Sequence, residues 1–174
     1  MKILLITAFI QLLAIYSYSQ NSLVNTNWKG QTDFRFEHPN FSGEWKLNES
    51  KSELGDFGSQ LAVIKIKIDQ YKDSITFTKT HPNEAISTET LSYDGKESVR
   101  SVSQGTAKRK STAKWSEDGQ SFIISFFIIN SASGQRTITG IQTLSLKEGK
   151  LYVETSYSSP QQGDFIVKAV YDKQ

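Results

Sequence analysis

No cysteine occurs among the 174 residues. That absence removes a disulfide framework, a thiolate nucleophile, a cysteine-ligated zinc and a lipid-modified N-terminal cysteine. Histidine is scarce as well, at 2 residues. His38 and His81 each precede a proline in a polar connection. With no paired spacing they make a poor zinc site, and both read as solvated loop residues. No Gly-x-Ser-x-Gly elbow is present, and Gly105, Gly134, Gly140 and Gly149 stand alone instead of forming a phosphate-binding loop. No metal or cofactor is expected, and no residues assemble into catalytic roles. A charge excess is missing too. Lys plus Arg number 20 and Asp plus Glu 18, whereas nucleic-acid-binding domains usually carry a clear basic excess. Beyond the N-terminus the longest apolar stretch is Phe122 to Ile129. That is strand-length, short of the ~20 residues of a membrane span.

The N-terminus does carry an apolar run, from Ile3 to Ile15, broken only by Thr7 and Gln11. Lys2 precedes it and Ser17-Tyr18-Ser19 follows it. A positive start, a short apolar core and small residues at the two cleavage positions form a secretory signal. Residues 1–19 are therefore expected to be removed before Gln20. The mature protein is expected to be periplasmic or extracellular, soluble and not a lipoprotein. Residues 20–40 are polar and read as an N-terminal arm, with a short strand over 33–37. Residues 41–174 are expected to fold as one domain, large enough to bury its core without staples.

From Phe41 onward the apolar residues recur with period two, and no helical stripe of ten residues is visible. Strands are expected over 41–48, 62–68, 75–81, 86–93, 96–103, 108–115, 121–129, 135–146, 150–157 and 165–172. Asp94-Gly95, Glu117-Asp118-Gly119, Ser133-Gly134 and Glu148-Gly149 supply turn chemistry between them. The stretch 50–60 is polar enough for a short helical turn. The fold class is all-β. Hairpin-linked strands favour an antiparallel up-and-down barrel of about ten strands, because closure removes exposed edges. A two-sheet β-sandwich is the alternative.

The run Phe41-Ser42-Gly43-Glu44-Trp45-Lys46-Leu47 resembles the first-strand Gly-x-Trp of lipocalins and their calycin relatives. Asn48 to Gly55, the Asp94-Gly95-Lys96 turn, Trp115 to Phe122 and Val170-Tyr171-Asp172 extend the likeness over 41–172. It is similar there to a lipocalin-like family of exported bacterial proteins. The resemblance implies a small antiparallel barrel and leaves function open, since the fold hosts many roles. It also implies that Gly43 and Trp45 close the barrel floor beneath a late-strand cation. Lys168 is the closest candidate, with Lys173 behind it.

Several side chains could carry binding chemistry. On a strand over 108–115, Lys108, Lys110 and Lys114 share one face, and Arg109, Ala113 and Trp115 the other. Three lysines are hard to bury, so Arg109 is expected to face the interior and need an anion, from a ligand or from an internal glutamate. Phe77, Tyr93, Trp115 and Phe126 could line a cavity or simply fill a core. Thr88, Thr90, Gln142 and Thr155 are the polar inward candidates. These residues point to an exported non-enzymatic binding barrel for a small, partly apolar ligand whose anionic group Arg109 would meet. The alternative is a filled barrel serving as a structural or protein-interaction module of the cell envelope, with an envelope protein as partner.

Overall fold

The computed structural model describes residues 38–56, 62–83 and 85–174. The expected signal, most of the polar arm and its short strand lie outside the described residues. The described residues form ten strands. They are β1 (Gly43–Leu47), β2 (Lys65–Gln70), β3 (Ser74–Thr80), β4 (Ile86–Ser92), β5 (Ser98–Val102), β6 (Ala107–Trp115), β7 (Ser121–Asn130), β8 (Arg136–Lys147), β9 (Lys150–Ser159) and β10 (Gly163–Lys173). They pair antiparallel in one sheet, in the order β4-β3-β2-β1-β10-β9-β8-β7-β6-β5. Sequential strands are neighbours, and β1 pairs with β10. The sheet curls until β4 meets β5 and β6. This is a nearly closed barrel, so the two-sheet alternative does not hold. Among the described residues β4 and β5 share no ladder, and side chains must join that seam.

Alternation sets the inner face. Ile75, Phe77 and Lys79 of β3 are buried, as are Phe122, Ile124 and Phe126 of β7 and Leu151, Val153 and Thr155 of β9. A strand whose side chains alternate sides can bury such a set only by turning one face inward. The hairpins close through left-handed turns, as at Gly119 and Gly149, both at φ 71°, where an L side chain is strained. In the connection from β1 to β2, Asn48 caps a 3-10 turn at Glu49–Lys51 by accepting from the Lys51 N–H. Glu53 then pairs with Lys168 through backbone hydrogen bonds of 2.8 and 2.9 Å. That pairing fastens the connection to the edge of β10 that also pairs with β1.

One end of the barrel is an aromatic floor. Trp45 is 2% exposed and its Nε1–H donates to the Phe41 carbonyl at 2.9 Å. Trp115 packs against Phe41, Tyr93 and Phe122, with ring centroids 5.1 to 5.7 Å apart. His38 stacks on Trp115 at 4.1 Å and donates from Nδ1 to the Gly119 carbonyl at 3.1 Å. His38 is thus an exposed residue of a connection, docked on the floor by its stacking.

The cation above Trp45 is Lys173, with Nζ 5.4 Å from the ring centroid. Lys168 does not fill that role. It points outward and pairs with Glu53 at 3.0 Å. The reason is parity. Lys173 lies opposite Trp45 in the β1–β10 ladder, while Lys168, an odd number of residues away, falls on the other face. Gly43 makes room for this arrangement, because a Cβ there would lie 3.0 Å from the Lys173 Cε.

Gly140 of β8 is a second close approach. A Cβ there would lie 2.4 Å from the Phe126 ring and 2.7 Å from the Ser156 carbonyl oxygen. Backbone cannot yield as a flexible side chain does. Gly140→Ala is therefore expected to cost about 1–3 kcal/mol, the usual range for overpacking. A urea midpoint matching the wild type would show that Phe126 does not rest on this backbone.

Candidate functional site

Above the floor the inner face turns polar and charged. β3 contributes Lys79, β4 Glu89, β5 Arg100, and β6 both Arg109 and Ser111. Lys79 is 7% and Glu89 4% exposed. Glu89 joins the β4–β5 seam. Its Oε1 accepts from the Ser111 hydroxyl at 2.6 Å and lies 3.5 Å from Arg109 Nε. Its Oε2 lies 3.8 Å from Arg100 Nε. Arg109 Nε donates to Ser111 Oγ at 3.1 Å, and its guanidinium carbon lies over Phe126, 3.7 Å from the ring centroid. Lys79 Nζ sits 5.2 Å from the Phe77 ring centroid. Tyr157 stacks on Phe165 at 4.9 Å and meets the Phe126 edge at 5.8 Å.

Three cations therefore surround one carboxylate in a place where water screens little. The match is incomplete: Glu89 Oε2 and Arg100 Nε are both buried without a hydrogen-bond partner. Among the described residues no carboxylate lies within 4 Å of Lys79. Burial pushes the Glu89 carboxyl up, but Arg109, Lys79, Ser111 and Arg100 together hold it below the ordinary range. Burial, with Arg109 second, lowers the Lys79 ammonium to about 8. Burial also lowers Arg109, against the pull of Glu89, and raises Tyr157. His81, beside Ser87 at 2.8 Å, is lowered by burial and then by Lys79 and Arg100. It lies in a connection but is half-buried at the edge of the charged layer, less solvated than the sequence suggests.

The Lys79 shift has a measurable consequence. Its amine binds its proton less tightly folded than unfolded. Above pH 8 the unfolded chain then holds more protons, and stability rises with pH. Between pH 7 and 9 the gain from Lys79 is about 1 kcal/mol, given the usual unfolded lysine value. Above pH 10 the trend reverses, because burial and Asp73 raise the Tyr93 hydroxyl to about 12, so its unfolded form ionises first. Denaturation midpoints at pH 7 and 9 check this. Lys79→Met should flatten the rise, and a wild-type midpoint that falls over that window would refute a buried, charged Lys79.

The residues singled out from sequence divide between two levels. Arg109 and Phe126 belong to the charged layer, and Phe77 lies under Lys79. Gln142 sits between the levels, donating to Thr155 Oγ1 at 3.1 Å. Trp115 and Tyr93 belong to the floor. Arg109 and Trp115 are six residues apart on one strand, on the order of 20 Å. Thr88 and Thr90 do not face inward. Both are exposed, and Thr90 hydrogen-bonds Thr76 on the outer face. The inward register of β4 is Glu89 and Leu91. Lys79, Glu89, Arg100 and Ser111 carried no motif. The one available signal was the shared parity of Glu89 with Leu91, opposed by Ile86, which is 69% exposed.

A groove of about 520 Å³ runs over β8, β9 and β10 beside Gly140, Tyr157 and Phe165, bordered by the exposed Ile141 and Ile166. Among the described residues no group of three or more His, Asp or Glu could hold a metal ion, and no helix is long and apolar enough to cross a membrane.

No protein-family model matches the sequence, and no curated protein does. Solved structures match by shape. The zebrafish ileal bile acid-binding protein, in complex with cholic acid, is 20% identical. The match covers 77% of this chain and 98% of that one, with a TM-score of 0.52. Lipid binding protein 8 of Caenorhabditis elegans is 16% identical over 77% of this chain and 95% of its own, with a TM-score of 0.54. At such identity the likeness establishes the fold: a ten-stranded calycin-type barrel.

Proposed function

We propose that this protein is an exported, non-enzymatic carrier of a small amphipathic anion, held inside the barrel with its charged group at the Arg100–Arg109 layer. One observation carries the reading: buried Lys79 and half-buried Arg100 and Arg109 face one buried carboxylate, and Arg100 Nε and Glu89 Oε2 lack hydrogen-bond partners. A buried cation excess is costly unless an anion answers it. The guanidinium fork suits such an anion, while Phe126, Tyr157 and Phe165 offer apolar surface beside it. Two barrels similar to it in shape are named for binding bile acid and lipid, which agrees in kind. Export rests on the apolar run and Ser17-Tyr18-Ser19. The narrower likeness to exported bacterial lipocalin-like proteins rests on the motif residues of 41–172.

The test is displacement of the fluorescent anion 8-anilinonaphthalene-1-sulfonate. Decanoate is expected to displace it and decan-1-ol to do so poorly. Arg109→Met should keep its circular dichroism yet bind decanoate about 10–100-fold more weakly, as expected for a lost charge-assisted hydrogen bond. Equal binding of acid and alcohol would end the anion reading.

A further inference from the structure

We propose that the headgroup this layer accepts is a dianion of the phosphate-monoester class, in preference to a single carboxylate. The inference rests on the carrier reading above and deepens it. It follows from the charge balance within one largely buried layer. Lys79, Arg100 and Arg109 bring three positive charges, and Glu89 brings one negative charge. A monoanion leaves this layer with uncompensated positive charge, and a dianion neutralises it. Donor geometry agrees. Arg100 Nε lacks an acceptor. Arg109 lies over Phe126, its Nε engaged by Ser111, which leaves the terminal nitrogens of its fork for an incoming oxygen. Lys79 offers an ammonium turned over Phe77 with no described ion-pair partner. These donors come from both sides of the seam, Lys79 from β3 on one and Arg100 and Arg109 from β5 and β6 on the other. A tetrahedral group spreads three terminal oxygens in space to meet such an arrangement, whereas a carboxylate holds its two oxygens in one plane.

The arrangement also implies proton linkage. The groups facing Lys79 are Glu89, Arg100, Arg109 and His81. A second negative charge placed among them favours the ammonium form. At pH 8.5 a dianion should therefore bind with proton uptake, seen as a calorimetric enthalpy that changes with the ionisation enthalpy of the buffer. A monoanion should show less uptake.

The test is titration of the mature protein with decyl phosphate, decyl sulfate, decanoate and inorganic phosphate at pH 7.5 and 0.1 M salt. Decyl phosphate should bind about tenfold or more tightly than decyl sulfate or decanoate, an extra charge contact in a poorly screened site. Decyl sulfate separates charge from tetrahedral shape. Lys79→Met should weaken decyl phosphate by a larger factor than it weakens decyl sulfate or decanoate, and so remove most of the difference between them. Lys79→Gln serves the same purpose if the methionine variant melts early. Equal affinity for the phosphate and the carboxylate overturns the dianion and leaves the carrier reading standing. Inorganic phosphate binding as tightly as decyl phosphate keeps the dianion but overturns the amphiphile. Binding of none of the four overturns both.

Discussion

Trp45→Ala is expected to lower the unfolding free energy by about 3–5 kcal/mol, the range for truncating a large buried aromatic. The residue is 2% exposed in a cluster with Phe41, Ile66 and Tyr171. The loss has three parts. Its ring leaves a void that strand backbones on both sides cannot collapse to fill. The Phe41 carbonyl loses the donor now 2.9 Å away, and Lys173 loses the ring beneath its ammonium. Far-ultraviolet circular dichroism in urea reads the effect without the confusion of a missing fluorophore. The midpoint should fall sharply with an unchanged slope. Trp45→Phe should cost distinctly less, since it keeps most of the volume and loses the hydrogen bond. An alanine variant within ~0.5 kcal/mol of wild type, the usual range for a surface change, would place Trp45 outside the core.

Glu89→Ala should be nearly as damaging, for a different reason. It leaves Lys79, Arg100 and Arg109 facing one another, and breaking a buried ion pair from one side typically costs about 3–5 kcal/mol. It also unties the β4–β5 seam, which no ladder holds among the described residues. The double variant Glu89→Leu with Arg109→Met separates the two causes. With both partners replaced by apolar side chains of similar size, much of the loss should return. If the single variant melts like wild type, the charged layer is hydrated and the ion pairs carry little. If the double variant is as weak as the single one, the seam and not the charge is responsible.

The order of strands was legible in the sequence because period-two alternation and Gly-bearing turns are local signals. Each expected strand from 41 onward overlaps one of the ten, with ends shifted by a few residues. The 62–68 strand shows why ends move. Lys65–Gln70 form the ladder, while Ala62 is buried ahead of it, so burial alone exaggerated its start. In β6 the same counting separates Arg109 and Ser111 from Lys108 and Lys110, and the structure keeps those faces apart. The charged layer was far less legible. Glu89 lies in a Thr-rich strand where a carboxylate ordinarily faces water, and its partners come from 22 residues away along the chain for Ser111. Nothing local announces that pairing. Lys173 above Trp45 was hidden by proximity to the end of the chain, although its parity in β10 distinguishes it from Lys168. The closed register of β10 against β1, a long-range fact, decides it.

The most direct test of an anion site inside the barrel is the Nε–Hε region of the nitrogen-15 correlation spectrum. The chain has Arg35, Arg100, Arg109 and Arg136 as its arginines, so four side-chain signals report on the whole protein. Arg136 serves as an internal control, because it lies over Phe127 on the outer side of β7. On titration with decanoate the Arg100 and Arg109 signals should shift together and saturate, with Arg100 moving most because its Nε gains a first acceptor. Arg136 should stay in place, and decan-1-ol should move neither interior signal. A titration in which Arg136 alone responds, or in which none of the four moves while decanoate binds, would contradict the account.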